Sequence, residues 1–589
     1  MPGMSDKGVK EDRARSRRTG LRSVSPLALA ATIGLGALAF GSGATADEIS
    51  SSLAQPSASS DSTATLPDGA VQLADNAPPP SPAAAPALTM STLGTGFFER
   101  LINYYKLEWG QPGAPTDPNA PAGRRPAPWP PQPETTPPMP FTEWPYGGAT
   151  DIGTNRAASD DSPLMVALAP TGLGKAMAAA NIQFYGWVDV GGNISPNNVK
   201  GGNSPAAYDY NPNTIQLDQA VIYLERTPDT VQTDHVDWGF RLSAIYGNNY
   251  RYTTSLGVAS YQLLKHNLNN GYDFSMVYAE LYVPQIAKGL LIRVGRFISL
   301  PDIEAQLAPN NYMYTHSMTY TYDNYTNTGI QTTLAVTKNI AIQLGLSDGS
   351  ETALWNIGAR EKNFLPENPL YPGTTFLKDP GAKASFTACA RISSDSSRDN
   401  LYLCADSINN GVYGYNNLQW LGFTYYHKFN EHWHISVEAW HIQENGVPNV
   451  DNPTAAAIVA GGGTPFSPQY MPFNAPNGAH CPHVSELVCD APEQSGVLYL
   501  NYSPNPLNNF SLRGEVFDDI VGQRTGFAST YYEAGIGWQH WLSPQIELRP
   551  EVTWYNSANA VAFNGNSNLG IAPDKRSATI ASGDIIVHF

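Results

Sequence analysis

Beyond Asn181 apolar and polar residues alternate with a period of two in segment after segment. Between Asp234 and Tyr246, Val236, Trp238, Phe240, Leu242 and Ala244 fall on one face, and Asp237, Gly239, Arg241 and Ser243 on the other. Glu533 to Trp541 repeats the scheme with Ala534, Ile536 and Trp538 against Glu533, Gly535, Gly537 and Gln539. In 545–555, Ile546, Leu548, Val552 and Trp554 oppose Glu547, Arg549, Glu551 and Thr553. A two-residue period is the signature of a strand with chemically different faces. The pattern predicts strands near 181–191, 214–226, 235–247, 273–283, 289–299, 327–337, 340–348, 415–429, 433–445, 495–503, 509–520, 528–542, 545–557 and 577–589.

A soluble sandwich and a membrane barrel share this alternation, the barrel turning its apolar face outward. The connections separate them. Every second one is short (TPDTVQTD, PQIAK, KN, NEH, PNPLN, SP), whereas most of the others are long, up to Gly349–Gly414; VGQRTGF is an exception. Short turns on one rim and long loops on the other are the outer-membrane pattern. The fold expected is therefore all-β, a transmembrane antiparallel barrel of about 14 strands, with both termini on the short-turn, periplasmic rim. The chain ends in Phe589 with Val587 and Ile585 on the same face, a pattern suited to an assembly signal on the closing strand. Tyr246, Tyr250, Tyr252, Tyr282, Tyr425, Tyr426, Phe429, Trp433, Tyr531, Tyr532, Trp541, Trp554 and Tyr555 crowd the strand ends, as two interfacial girdles would.

The N-terminus carries no such alternation. Five arginines between Arg13 and Arg22 precede the apolar run Leu27–Phe40, and Ala44-Thr45-Ala46 offers small residues for cleavage. Residues 1–46 read as a secretory signal peptide. Residues 47–180 read as a Pro/Ala-rich periplasmic linker, with one short amphipathic helix near 93–109 and a proline-dense spacer from Gln111 to Pro145. The barrel is then 181–589.

Composition removes several alternatives. A formal net charge of -17 disfavours nucleic acid as a partner, because phosphate binding draws on Lys and Arg. With only 14% charged residues beside 52 Gly and 48 Pro, the chain is no coiled coil. Four cysteines are too few for a disulfide framework. They fall as two close pairs, Cys389 with Cys404 and Cys481 with Cys489, each expected inside one long external loop and oxidised in an exported chain.

From Ile182 onward the sequence resembles the OmpL-like β-barrel porins. The likeness rests on FYGWVDVGGNIS at 184–195, YGNNYRY at 246–252, GYDFSMVYAELYVP at 271–284, GLLIRVGRF at 289–297 and EAQLAPNNYMYTHS up to residue 317. The resemblance implies a passive outer-membrane pore and specifies no solute, cofactor or reaction.

With the apolar face toward lipid, the lumen would be lined by Glu225, Arg241, Glu280, Arg293, Glu438, Arg513, Glu515, Glu533, Glu547, Arg549 and Glu551. The third long connection, Leu300 to Tyr325, would fold inward by analogy with porins generally. It would place Asp302, Glu304 and Asp323 opposite Arg241, Arg293 or Arg296, although strict alternation puts Arg296 on the lipid face. No catalytic, cofactor or metal site is expected: P-loop, HExxH and G-x-S-x-G patterns do not occur. The function expected is an outer-membrane porin, a channel for ion transport and passive diffusion of small hydrophilic solutes, mildly cation-selective because Glu outnumbers Arg on its wall. The expected partners are outer-membrane lipid, the barrel-assembly machinery and those solutes, with self-association left open. The rivals are an outer-membrane barrel enzyme of lipase or protease type and a structural or adhesive barrel.

Overall fold

A computed structural model of the chain describes residues 88–109 and most of 162–589, apart from 197–201, 255–257, 299–301, 324–325, 351–382, 411–417, 461–477, 567–569 and a few single positions. The stretches read from the sequence as signal peptide, first part of the linker and proline-dense spacer lie outside the described residues.

The described strands form one closed antiparallel sheet. In chain order they are β1 Gln183–Ile194, β2 Ile215–Arg226, β3 Asp237–Gly247, β4 Gly271–Val283, β5 Leu290–Ile298 and β6 Thr326–Ala335. Then follow β7 Ile340–Ser350, β8 Ser385–Ser393, β9 Asp399–Ile408, β10 Leu418–Lys428, β11 Trp433–Pro448 and β12 Val488–Asn505. Last come β13 Asn508–Asp519, β14 Ser529–Ser543, β15 Ile546–Leu548, β16 Glu551–Ser557 and β17 Ser577–His588. Apart from β15 and β16, each strand pairs with its sequence neighbours, and β1 also pairs with β17, so the sheet has no free edge. β15 and β16 both lie between β14 and β17 and are halves of one strand, broken where Pro550 has no N–H to give the ladder. The wall is therefore a 16-strand barrel.

Two strands beyond the sequence expectation account for the difference. β8 and β9 fall inside the stretch read as a long loop, joined by a short turn at 394–398 on the same rim as the other short turns. Their amphipathicity is weak: alanine occupies 388, 390 and 405, while the opposite face carries the apolar Cys389 and Cys404. Cys389 and Cys404 consequently are not loop residues. They face each other across the β8–β9 ladder and are joined as a disulfide. Cys481 is bonded to Cys489 beside the external end of β12. Each cross-link closes a short loop and adds about 3 kcal/mol in the chain-entropy picture. Peptide mass mapping without reductant is expected to recover Cys389–Cys404 and Cys481–Cys489, and free thiols would contradict both assignments.

The apolar face points outward. Ile536 on β14 is 55% exposed and Trp554 on β16 43%, whereas Glu533 and Glu551, on the opposite face, are 4% and 5% exposed. Tyr246, Phe429, Trp433, Tyr532 and Trp554 are on the exposed side, as interfacial girdles require. The other strand-end aromatics depart from that expectation. Tyr250, Tyr252, Tyr282, Tyr425, Tyr426, Tyr531, Trp541 and Tyr555 are buried, because residues at a strand end still alternate or are covered by neighbouring segments. Among the described residues no helix is long and apolar enough to cross a membrane.

Ahead of the barrel, the helix Phe97–Glu108 packs against Pro163–Leu168, where Arg100 donates to the Val166 carbonyl at 2.9 and 3.0 Å. Tyr105 donates to the carbonyl of His588, and Ser162 to that of Phe184, which sets the helices beside the β1–β17 seam.

Candidate functional site

The barrel interior is built on cross-strand ion pairs that the register dictates. Glu225 and Arg241 are directly opposite on β2 and β3, and Arg241 Nε donates to Glu225 at 2.7 Å. Glu280 and Arg293 repeat the arrangement on β4 and β5, also at 2.7 Å, with Arg293 lying 4.4 Å over the Tyr278 ring. Arg549 pairs with Asp584 of β17. Arg513 on β13 pairs with Glu533 on β14. Glu547 accepts from Gln539 at 2.7 Å and contacts His588 at 3.2 Å. All eleven residues expected on the inner wall are buried.

The segment 302–323 occupies the lumen and touches the wall on its far side. Backbone N–H groups of this segment are taken up by wall carboxylates. Ile303 donates to Glu438 at 2.8 Å, Tyr314 and Thr315 to Glu551 at 2.8 and 3.1 Å, and Met318 to Glu515 at 2.9 Å. Its carbonyls are taken up by wall arginines: Asn311 by Arg549 at 2.9 Å and Thr315 by Arg513 at 2.5 Å. A segment leaving the rim with unpaired backbone groups needs such partners away from water. Shape follows the same logic. On the inner face of β14, a side-chain carbon on Gly537 would lie 2.8 Å from Met313, so glycine leaves the notch that Met313 fills.

Asp302, Glu304 and Asp323 are buried inside this segment. They do not face the arginines expected from the sequence. Arg241 and Arg293 are taken by their strand partners, and Arg296 pairs with Asp273 at 2.9 Å. Glu304 instead lies 3.4 Å from Arg513 and accepts from Tyr499 at 2.5 Å and from the Ser317 N–H at 3.0 Å. Burial raises the Glu304 carboxyl above its usual range, and Arg513 opposes the shift. Asp302 is pushed well above the usual carboxylate range, first by burial and then by Asp323. His316 stacks on Tyr208 with ring centres 3.8 Å apart, and burial drives its pKa far down, so the imidazole is neutral.

Arg296 is not exposed to lipid as strict alternation would have it. Gly295 has φ +139°, a conformation that L side chains avoid, and after it Arg296, Phe297 and Ile298 are all buried. The two-residue period ends there, and the guanidinium is covered by the Thr253 carbonyl.

Several interior groups were not singled out from the sequence. Asp218 accepts from Tyr314 at 2.8 Å, which ties the lumen segment to β2. Arg524, in the connection after β13, is fully buried 3.4 Å from Glu493, and neighbouring Gln523 donates to Glu444 at 2.9 Å. The signal for these was present in the alternation of β2, β11 and β12; the inward turn of 520–528 was not. Among the described residues seven arginines and no lysine are buried, against twenty-one buried Asp and Glu.

The family described as "Putative beta-barrel porin-2, OmpL-like" matches residues 181–589. Among solved structures, the chain is similar to an anion-selective porin from Comamonas acidovorans at 11% identity, covering 69% of this chain and 99% of that one with a TM-score of 0.39. It is similar to the outer membrane channel DcaP of Acinetobacter baumannii at 8% identity, covering 69% and 97% with a TM-score of 0.37. A mutant of the Rh. blastica porin aligns at 12% identity over 69% and 100%, with a TM-score of 0.32. No curated protein matches the chain.

Proposed function

The chain belongs to the OmpL-like β-barrel porin family, a channel-type barrel of the outer membrane, and from that premise we propose that it passes small hydrophilic solutes with a preference for cations. The observation that carries the preference is the threefold excess of buried carboxylates over arginines among the described residues. Fixed anionic groups around a narrow aqueous path raise the local cation concentration, most strongly where salt screening is weak. The segment 302–323 narrows that path and is held by wall charges. A periplasmic position for the start of β1 and the end of β17 is supported by the helices 97–108 and 163–168, which sit beside the β1–β17 seam at the rim of the short turns.

A planar-bilayer recording under a KCl gradient tests this. Stepwise single-channel conductance is expected, with a reversal potential whose sign marks K+ as the more permeant ion and whose size falls as salt rises. The double variant Asp302→Asn, Glu304→Gln, measured in chelator, replaces two acidic side chains at nearly constant volume and leaves Arg513 without the Glu304 charge beside it. The reversal potential should move toward zero. A wild-type pore that prefers chloride would sink the charge argument, and a barrel that inserts without conducting would sink the pore reading.

A further inference from the structure

We propose that Asp302, Asp323 and Glu438 form a calcium site that clamps the lumen segment to strand β11. The three carboxylates come from both ends of the segment and from the wall. One oxygen from each lies within 4.8 Å of the others, and all three residues are buried.

Two features set this cluster apart from a solvated acidic patch. First, Asp302 and Glu438 are 2% and 1% exposed, yet Asp302 Oδ1 and Glu438 Oε1 have no hydrogen-bond partner. The hydroxyl of Thr424, directly opposite Glu438 on β10 and fully buried, is also unpartnered. Buried polar oxygens are almost always satisfied, so unpartnered oxygens beside one another call for a ligand. Second, among the described residues no basic side chain pairs with Asp302 or Glu438. Arg513 of β13, which reaches the same segment, is already shared between Glu304 and Glu533. Anionic groups buried together without a cation repel one another and lose hydration.

The donor set is all oxygen and carries three formal negative charges, which selects a hard divalent ion. Three oxygens that lie within 4.8 Å of one another can all reach one calcium ion at calcium–oxygen distances of about 2.3–2.6 Å. Magnesium demands near-ideal octahedral geometry and gives up its water reluctantly, whereas calcium accepts an irregular set of carboxylate oxygens such as this one. The Thr424 hydroxyl and water can complete the shell.

The site needs nothing from the conduction argument, and its test does not use conduction. The full chain, purified as folded barrel in detergent and stripped with EDTA, is titrated with CaCl2 by calorimetry. Terbium luminescence reports the same site, since Tyr426 donates to the Asp302 carbonyl at 3.2 Å and is close enough to sensitise the ion. One saturable ion per chain is expected, with terbium emission displaced by calcium. The variants Asp302→Asn and Glu438→Gln should lower the affinity at least tenfold while remaining folded. In EDTA they should unfold at the same temperature as the wild type or higher, because each removes repulsion. Absence of saturable binding to the wild type up to millimolar calcium would overturn the site, as would undiminished binding to both variants.

Discussion

Removal of Phe589 is expected to abolish assembled barrel in the outer membrane, leaving aggregated or degraded protein in the periplasm. The last residue extends the pairing that closes the sheet. Its N–H donates to the Gly186 carbonyl and its carbonyl accepts from the Gly186 N–H, both at 2.8 Å, across the β1–β17 seam. Its ring lies so close to Gly186 that a side chain there would meet it at 2.8 Å. Losing Phe589 removes two main-chain bonds at the only pairing that joins the first strand to the last, in a setting where unpaired backbone groups facing lipid each cost several kcal/mol. The pairs Trp187↔His588 to Ile194↔Ala581 keep the rest of the seam, so the near-complete loss is expected at assembly, where the closing strand must be recognised by its terminal aromatic. The measurement is the heat-modifiable electrophoretic band in outer-membrane fractions. Wild-type amounts of folded protein from the truncated gene would refute the role given to the closing strand.

The parts of this fold that could be read from the sequence are those where a membrane punishes error. A charge facing mid-bilayer costs about 2–4 kcal/mol, so strands such as β3, β14 and β16 separate Trp, Ile and Leu sharply from Glu and Arg. Strands β8 and β9 face a weaker test: alanine is tolerated on either face, and Cys389 and Cys404 make the inner face apolar as well. Their period is therefore blurred, and a cysteine pair that is local in sequence looks like a loop staple. Arg296 fails for another reason. Alternation extrapolates a backbone that continues unbroken, whereas the positive φ of Gly295 ends it.

For the site, the sequence marks which residues face inward but not what they meet there. Glu515 and Met318 are 197 residues apart, and Glu551 and Tyr314 are 237 apart. Nothing periodic links a strand to a loop that reaches it across the lumen. The wall charges hold backbone groups of 302–323, a role that carries no side-chain complementarity and therefore no pattern. Glycines did leave a trace: Gly535 and Gly537 alternate with Glu533 and Gln539 on the inner face, and the empty volume beside them is taken by Met313.

Arg513→Ala is expected to destabilise the lumen segment more than any other single interior change, and to widen the pore. This guanidinium is fully buried and reaches four partners from three parts of the chain. It pairs with Glu533 on the wall and Glu304 on the segment, donates to the Thr315 carbonyl, and approaches the Tyr499 hydroxyl at 3.1 Å. Truncation strands two carboxylates inside the barrel, and breaking one side of a buried pair typically costs about 3–5 kcal/mol. The wall can keep its ladder, since backbone pairing of β13 with β12 and β14 does not use the side chain. Strain therefore falls on 302–323, which can release Glu304 toward water by leaving the lumen. The expected record is a larger and noisier single-channel conductance, a stronger cation preference because a positive charge is gone, and faster proteolysis within 302–323 while the strands stay protected. Arg513→Lys should restore the charge but not the forked contacts to Glu533, Glu304 and Thr315, and so should recover selectivity more than quiet conductance. An alanine variant with wild-type conductance and wild-type protease resistance would mean that Arg513 does not hold the segment in place.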